Sequence, residues 1–223
     1  RELGAGVIEA PMIEIADAAD GGAALAAAVG RIAEFRWLVL TSPNGVARTF
    51  EHLPDARKLA GVRVAAVGAG TAEALAARRI VADLVPSRFV AEGLLDELPA
   101  APPEGGRVLL AQAAGARDVL AVGLAQRGWT VEVVEAYRSL PVAPDDATLD
   151  AIAAADAVTF TSSSTVTNLC DALRDRGVPP VVASIGPVTS ATAVRRGLTV
   201  TVEATEHSID GLLDVLVAHL APS

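Results

Sequence analysis

Short apolar runs alternate with longer stretches rich in alanine and leucine along the whole chain. The short runs contain many β-branched residues, as buried strands do, and such an alternation is typical of parallel α/β sheets. We predict strands at 7–15, 36–42, 63–68, 82–86, 107–112, 131–142, 157–162, 181–186 and 199–204. We predict helices at 21–35, 44–53, 70–79, 90–98, 116–127, 146–154, 165–176, 188–196 and 208–220.

Three blocks of the sequence occur twice, in the same order. The pairs are WLVLTSPNGV (37–46) with AVTFTSSSTV (157–166), VAAVGAGTAEAL (64–75) with VASIGPVTSATA (182–193), and EGLLDEL (92–98) with DGLLDVL (210–216). Coincidence at three blocks is hard to obtain by chance, and repetition of this kind indicates a duplicated structural unit. The sequence therefore predicts two similar α/β domains, each a parallel sheet flanked by helices.

The two copies differ in what precedes them. A strand, a helix and a further strand (107–142) lead into the second copy, whereas the residues before the first copy match only the end of that unit. We therefore expect the chain to begin inside a helix, with the first strand and most of that helix absent. A longer native chain is expected to pair that strand beside 157–162 or its neighbours, as 107–112 pairs in the other domain.

Composition and charge narrow the class of protein. Apolar residues make up 52% of the 223 residues, while aromatic residues are only 3%, so alanine, valine and leucine must supply the packing. The net charge is −9 and the basic residues are scattered, whereas a nucleic-acid binder would show a basic patch. A single cysteine, Cys170, excludes an internal disulfide. With no signal-peptide profile and no apolar span, we expect a cytoplasmic monomer that binds neither nucleic acid nor membrane.

Four loops that follow predicted strands carry matched polar motifs. Two have the form Thr-Ser (41–46 and 161–166), and two have the form Gly-x-x-Thr (68–71 and 186–189). In parallel sheets ligands bind beyond the carboxyl ends of the strands, where helix N-termini offer unpaired N–H groups to anions. Alternatively, the hydroxyls are ordinary N-caps and the glycines ordinary turns. Four matched loops favour an anion-binding cleft, which we expect between the two domains.

Other chemical motifs are weak. The Gly-Ala-Gly at 68–70 resembles the start of a dinucleotide fingerprint, but Glu73 stands where the third glycine belongs. The three histidines lie in separate segments without the spacing of metal ligands, so we predict no metal site. We interpret His207 as the beginning of the last helix and Cys170 as a small core residue. The single tyrosine, Tyr137, is either an amphipathic residue at the junction of the two halves or a weak acid in catalysis.

The sequence resembles that of the uroporphyrinogen-III synthases. The resemblance rests on TSPNGV, AVGAGTAEAL, PSRFVAEGLLDEL, RVLLAQAAGARDVLAVGLAQRGWTVEVVEAYR, VTFTSSSTVTNL and SIGPVTSATA, which follow in order across about residues 7–216. The first strand of that family, with its usual Thr-Arg pair, has no match in these residues.

The resemblance implies a lyase of tetrapyrrole and haem biosynthesis that needs no cofactor. Its substrate would be hydroxymethylbilane, a linear tetrapyrrole with acetate and propionate side chains. Loss of the terminal hydroxyl and attack by the substituted carbon of ring D give a spiro intermediate, whose fragmentation and reclosure invert that ring. Such an enzyme mainly selects a geometry, which suits a site made of positioning groups.

The resemblance also implies site residues and domain boundaries. Tyr137 matches a family tyrosine suggested to assist departure of the hydroxyl. The substrate-binding residues carried over are Ser42, Asn44, Gly68, Thr71, Gln112, Arg117, Ser162, Ser163, Ser164, Thr165, Gly186 and Thr189. One domain would run from 13 to 134, and the other would combine 1–12 with 144–223, with 135–143 as a connecting strand.

A second hypothesis is a non-catalytic binding module, in which two α/β lobes hold a small polyanion. The loop motifs alone fit either class, since both need anion-binding loops. Supplying hydroxymethylbilane and identifying the product isomer would separate the two hypotheses.

Overall fold

The computed structural model describes residues 4–221, which form a mixed α/β protein with parallel sheets. The chain divides into two compact units. Unit 2 comprises Ile15–Ser139, and unit 1 combines the residues up to Glu14 with those from Leu140 onwards. Within the described residues, no helix is long and apolar enough to cross a membrane.

The larger sheet lies mainly in unit 2. Its strands are β1 (Ile13–Ala16), β2 (Trp37–Leu40), β3 (Arg63–Ala66), β4 (Arg107–Ala113) and β5 (Thr130–Pro141), in the order β1-β5-β4-β2-β3. Strand β2 pairs in parallel with both β3 and β4, so Leu40 stands opposite Ala66 on one side and Ala111 on the other. The carboxyl ends of these three strands therefore lie at one edge of the sheet.

Helices cover both faces of this sheet. They are α1 (Ala23–Gly30), α2 (Pro43–Glu51), α3 (Ala69–Ala76), α4 (Ala91–Glu97) and α5 (Val119–Gln126). All four residues of β2 are buried, as expected where a parallel sheet has no solvent face. Leu38 and Leu40 belong to the core that includes Leu25 and Val46, while Trp37 and Val39 belong to the other.

Unit 1 has a smaller parallel sheet of the same kind. Its strands are β6 (Ala157–Phe160), β7 (Val181–Ser184) and β8 (Val202–Glu203), and its helices are α6 (Asp146–Ala153), α7 (Ser163–Leu173), α8 (Pro187–Arg195) and α9 (Ile209–Leu220). Within residues 4–221, β6 pairs with β7 alone, whereas β2 lies between two strands. Met12 joins the core of this unit and is 4% exposed.

Equivalent positions of the two repeat copies make the same hydrogen bonds. The N–H of Asp83 donates to the carbonyl of Val64 (2.7 Å), and the N–H of Thr201 donates to that of Val182 (2.8 Å). The Asp83 and Thr201 side chains accept the N–H groups of Val64 (2.7 Å) and Val182 (3.0 Å) in turn. The same short extended segment thus borders β3 and β7.

Several predicted elements are wrong in extent, mostly at the sheet edges. The strand predicted at 82–86 reduces to one bridge between Ala65 and Leu84, because Pro86 cannot donate and the Asp83 side chain takes a ladder N–H. The strand predicted at 199–204 is reduced to 202–203, and the strand predicted at 7–15 is found at 13–16. The helix at 21–35 stops at Gly30, and a 3₁₀ turn follows before Phe35 enters the core.

We predict that a methyl group on Gly211 destabilises the protein. A Cβ there would overlap the carbonyl oxygen of Glu206, just as one on Gly93 would overlap that of Arg88. Gly211→Ala should lower the free energy of unfolding by about 1–3 kcal/mol, because backbone atoms cannot give way cheaply. The control is Gly30→Ala, where a Cβ meets nothing within 4 Å. Equal urea midpoints for the two variants would contradict the prediction.

Candidate functional site

The carboxyl edge of the larger sheet gathers the predicted site residues of unit 2. Ser42 and Asn44 follow β2, Gly68 and Thr71 follow β3, and Gln112 lies near the end of β4. Because these strands are adjacent and parallel, their following turns are neighbours. Helices α2 and α3 consequently begin side by side.

The smaller sheet repeats this arrangement in unit 1. Residues 162–165 follow β6, and Gly186 with Thr189 follows β7. The Ser163 hydroxyl donates to the carbonyl of Val188 (3.2 Å) and lies within hydrogen-bond distance of the Thr192 hydroxyl (2.9 Å). These bonds fasten the start of α7 to the start of α8.

The Thr-Ser loops cap their own helices. The Ser42 hydroxyl accepts the N–H of Gly45 (3.1 Å), and that of Ser162 accepts the N–H of Thr165 (3.3 Å). The hydroxyls of Ser164 and Thr165 lie 3.0 and 2.7 Å from the Ser162 oxygen. The N-cap interpretation therefore holds for Ser42 and Ser162, whose hydroxyls already have partners in the protein.

The Gly-x-x-Thr loops leave their helix starts uncapped. Gly68 precedes α3 and Gly186 precedes α8, and neither supplies a side-chain oxygen. Within residues 4–221, the N–H groups of Ala69, Gly70, Val188 and Thr189 accordingly make no hydrogen bond. Free amides at a helix start, where the helix dipole is positive, are suited to carboxylate or phosphate groups.

A buried threonine hydroxyl accompanies each uncapped start. Thr71 is 3% exposed and Thr189 is 5% exposed, and neither hydroxyl has a hydrogen-bond partner among the described residues. In the same part of the chain, Thr49 Oγ1 is the one fully enclosed side-chain polar atom without a partner. The Thr71 and Thr189 oxygens therefore keep some contact with solvent. Buried polar groups normally have partners, so both hydroxyls are available to a ligand.

The remaining predicted residues differ in whether their side chains already have hydrogen-bond partners in the protein. Gln112 is 8% exposed, and neither it nor Asn44 has a side-chain hydrogen bond within the described part of the chain. Arg117 lies in the turn before α5 rather than in a helix, and it forms an ion pair with Glu92 (2.9 Å). Hydrogen bonds from the Glu92 backbone and then from Arg117 lower the pKa of the Glu92 carboxyl. Arg117 is thus already paired with a carboxylate.

Tyr137 lies on β5 opposite Ala113 of β4, next to the carboxyl edge of the larger sheet. It is 7% exposed and belongs to the core cluster that contains Leu40 and Leu109. Its hydroxyl has no hydrogen-bond partner in residues 4–221. Tyr137 therefore packs as an aromatic residue and still has a free donor.

Sequence reasoning missed two aromatic side chains beside the glycine loops. A Cβ added to Gly186 would meet the His207 ring at 3.0 Å, and one added to Gly68 would meet Phe89 at 3.5 Å. The interpretation of His207 as the start of the last helix is wrong, because Ser208 caps α9 and His207 precedes that cap. Extending the EGLLDEL and DGLLDVL alignment three residues upstream would have paired Phe89 with His207.

Comparison with known proteins identifies the family. A family model described as uroporphyrinogen-III synthase HemD matches residues 1–214. The chain belongs to the uroporphyrinogen-III synthase family. Among the described residues, this family member has no cluster of three His, Cys, Asp or Glu side chains that could hold a metal ion.

Curated relatives agree with this assignment. A uroporphyrinogen-III synthase of Synechococcus elongatus is 37% identical over 231 residues, which covers 96% of this chain and 86% of the relative. A putative uroporphyrinogen-III synthase of Methanothermobacter thermautotrophicus is 36% identical and covers 76% of this chain and 72% of the relative.

Solved structures of the family share the fold. The Helicobacter pylori uroporphyrinogen-III synthetase matches with a TM-score of 0.67 at 17% identity, over 93% of this chain and 91% of that one. A mutant Thermus thermophilus synthase matches with a TM-score of 0.64 at 20% identity, over 94% and 87% of the two chains.

We predict that the two kinds of hydroxyl in this synthase respond differently to removal. Thr189→Val keeps the shape and removes a hydroxyl without a partner in the protein, so the free energy of unfolding should stay equal or rise. Ser162→Ala removes an N-cap and should cost about 1 kcal/mol. Urea denaturation of both variants tests this. A loss above about 1 kcal/mol in Thr189→Val would mean that its hydroxyl has a structural partner.

Proposed function

We propose that this protein converts hydroxymethylbilane into uroporphyrinogen III with release of water, as a uroporphyrinogen-III synthase of haem and tetrapyrrole biosynthesis. The observation that carries the proposal is the pair of uncapped helix starts at Gly68 and Gly186. Each has two unpaired backbone amides and a buried threonine hydroxyl with no partner among residues 4–221. A substrate with many carboxylates needs such anchors, above all in a protein with net charge −9.

The reaction requires little covalent chemistry from the protein. The hydroxyl leaves the terminal carbon with one proton, pushed out by an electron-rich pyrrole. The substituted carbon of ring D then bonds to that carbon, and fragmentation and reclosure invert the ring. Attack by the unsubstituted carbon would give the other isomer, so the protein must hold the chain in one geometry. Several fixed carboxylate anchors achieve this without a reactive side chain.

We assign the residues by the state of their hydrogen bonds. The amides and hydroxyls of the two Gly-x-x-Thr loops, with Thr71 and Thr189, bind substrate carboxylates directly. Asn44 and Gln112 add amide donors that have no partner in residues 4–221. Six further residues complete the substrate site while making the bonds described above: Ser42, Ser162, Ser163, Ser164 and Thr165 in the neighbouring Thr-Ser loops, and Arg117 in the turn before α5. Tyr137 donates to the departing hydroxyl.

We also propose the domain organisation implied by the family. One domain covers 13–134, the other covers 1–12 with 144–223, and 135–143 is the connecting strand. The division of the chain at Glu14/Ile15 and Ser139/Leu140 supports this proposal, as does the unbroken course of β5 from Thr130 to Pro141. We propose a cytoplasmic monomer that acts on its small-molecule substrate without nucleic acid or membrane.

The assay of the proposal is direct. Purified protein is treated with a chelator, desalted, and supplied with hydroxymethylbilane, and the uroporphyrinogen isomers are separated after oxidation to porphyrins. We expect full turnover to the ring-D-inverted isomer, because the proposed anchors are all protein groups. Formation of only the non-inverted isomer, at the rate seen without protein, would favour the non-catalytic polyanion binder. Activity that returns only after a cofactor is added would contradict cofactor independence.

Substitution of the tyrosine tests how catalysis is distributed. Tyr137→Phe removes the hydroxyl and keeps the packed ring, so the fold should survive. A general acid contributes about 10²–10⁴-fold, and an activated leaving group needs the least help. We expect kcat to fall by at most about 100-fold, with the inverted isomer still the main product.

Two outcomes would contradict this distribution of the catalytic effect among several residues. A folded but wholly inactive Tyr137→Phe would mean that one residue dominates catalysis. Wild-type kcat would mean that Tyr137 serves only to pack against the core.

A further inference from the structure

The segments before α4 and α9 have the same local backbone structure, although their sequences differ. The N–H of Val90 donates to the carbonyl of Arg88, and the N–H of Ser208 donates to that of Glu206, both at 2.7 Å. In each segment a glycine in the following helix, Gly93 or Gly211, allows that carbonyl to approach closely. Position 89 of one copy is therefore the structural equivalent of position 207 of the other.

Both positions carry an aromatic side chain that lies against an uncapped helix start. From a Cβ placed on Gly186, His207 Cδ2 is 3.0 Å away and Nε2 is 3.2 Å away. From a Cβ placed on Gly68, the nearest atoms of Phe89 are its Cβ at 3.5 Å and its Cγ at 3.9 Å. Each side chain thus borders the glycine of one Gly-x-x-Thr loop.

The two side chains differ in chemistry. Phe89 is 59% exposed, and its side chain has no polar atom that could bind a ligand. His207 is also exposed, and within residues 4–221 its ring nitrogens have no hydrogen-bond partner. Nearby hydroxyls are engaged: Ser190 donates to Glu203, and Ser208 accepts the N–H of Gly211 (3.0 Å). His207 therefore places a free donor where its structural equivalent has none.

We propose that His207 is a further substrate-binding residue, whose imidazole N–H donates to the substrate carboxylate held by the Val188 and Thr189 amides. This inference rests on the proposed function, because it names an additional contact in the same site. It also makes the two glycine loops unequal. The loop at Gly186 binds its carboxylate with one more donor. The loop at Gly68 has the apolar side chain of Phe89 at the equivalent position.

The chain itself supplies the test substitution, since phenylalanine already occupies the equivalent position. His207→Phe keeps an aromatic side chain and removes the donor, whereas His207→Gln loses the ring and keeps an N–H donor. His219→Gln, at an exposed histidine near the end of α9, is the control. Steady-state kinetics with hydroxymethylbilane and calorimetric titration with uroporphyrinogen III under anaerobic conditions are measured for all four proteins.

We expect His207→Phe to raise KM and the Kd for uroporphyrinogen III about ten-fold, the usual effect of one hydrogen bond to a charged group. Its kcat should stay within about two-fold of wild type, because a contact made equally in the ground state and transition state changes KM alone. His207→Gln should recover part of the affinity, and His219→Gln should match wild type.

Other results would overturn the proposal. Wild-type KM in His207→Phe would show that the imidazole makes no contact with substrate. Equal losses in His207→Phe and His207→Gln would show that the donor is not the important property, as would a lowered melting temperature that accounts for the loss. Failure of the proposed function is distinguishable, because wild-type protein would then not turn over hydroxymethylbilane, whether or not it binds uroporphyrinogen III.

Discussion

The first amides of a helix have no partner inside that helix, and the site depends on how each of them is satisfied. Helices α2 and α7 follow serines, whose hydroxyls accept an amide of the first turn. Helices α3 and α8 follow glycines, which contribute no acceptor. At each Ser-capped start a side chain therefore satisfies one amide of the first turn, whereas no side chain does so at the Gly-capped starts. Because parallel pairing places these starts side by side, each unit has a Ser-capped helix start next to a Gly-capped one.

Duplication gives two such pairs, and side chains then make them different. The backbone hydrogen bonds around β3 and β7 are the same, as are those before α4 and α9. At the start of α2 the chain has Pro43, whereas the equivalent Ser163 of α7 is hydrogen-bonded to α8. The two copies thus share the backbone of these loops and differ in the side chains that border them.

Much of the fold could be predicted, because its strands are short apolar runs and its helices have clear start signals. Strands β2, β3, β6 and β7 fall within predicted ones, and β4 extends one residue beyond its predicted end. The predictions were wrong at the sheet edges, because pairing there depends on a few hydrogen bonds that periodicity does not encode. One example is the bond from the N–H of Val64 to the Asp83 side chain. The site was predictable as a set of loops. Local sequence patterns do not show which hydroxyls lack a hydrogen-bond partner. Nor do they show that Phe89 and His207 lie beside the glycines, because both features depend on three-dimensional packing.

The burial of Met12 has a consequence for biosynthesis on the ribosome. Its side chain packs in the core of unit 1, and its carbonyl accepts hydrogen bonds from the N–H of Val142 (3.1 Å) and the side chain of Asn168 (2.9 Å). Those partners are synthesised more than a hundred residues later, after all of unit 2 has been made. At about 5–20 residues per second, this early segment waits roughly 7–30 s for these partners. Unit 2 can fold during that interval, so the order of synthesis favours folding of the inserted unit before the unit that surrounds it in sequence.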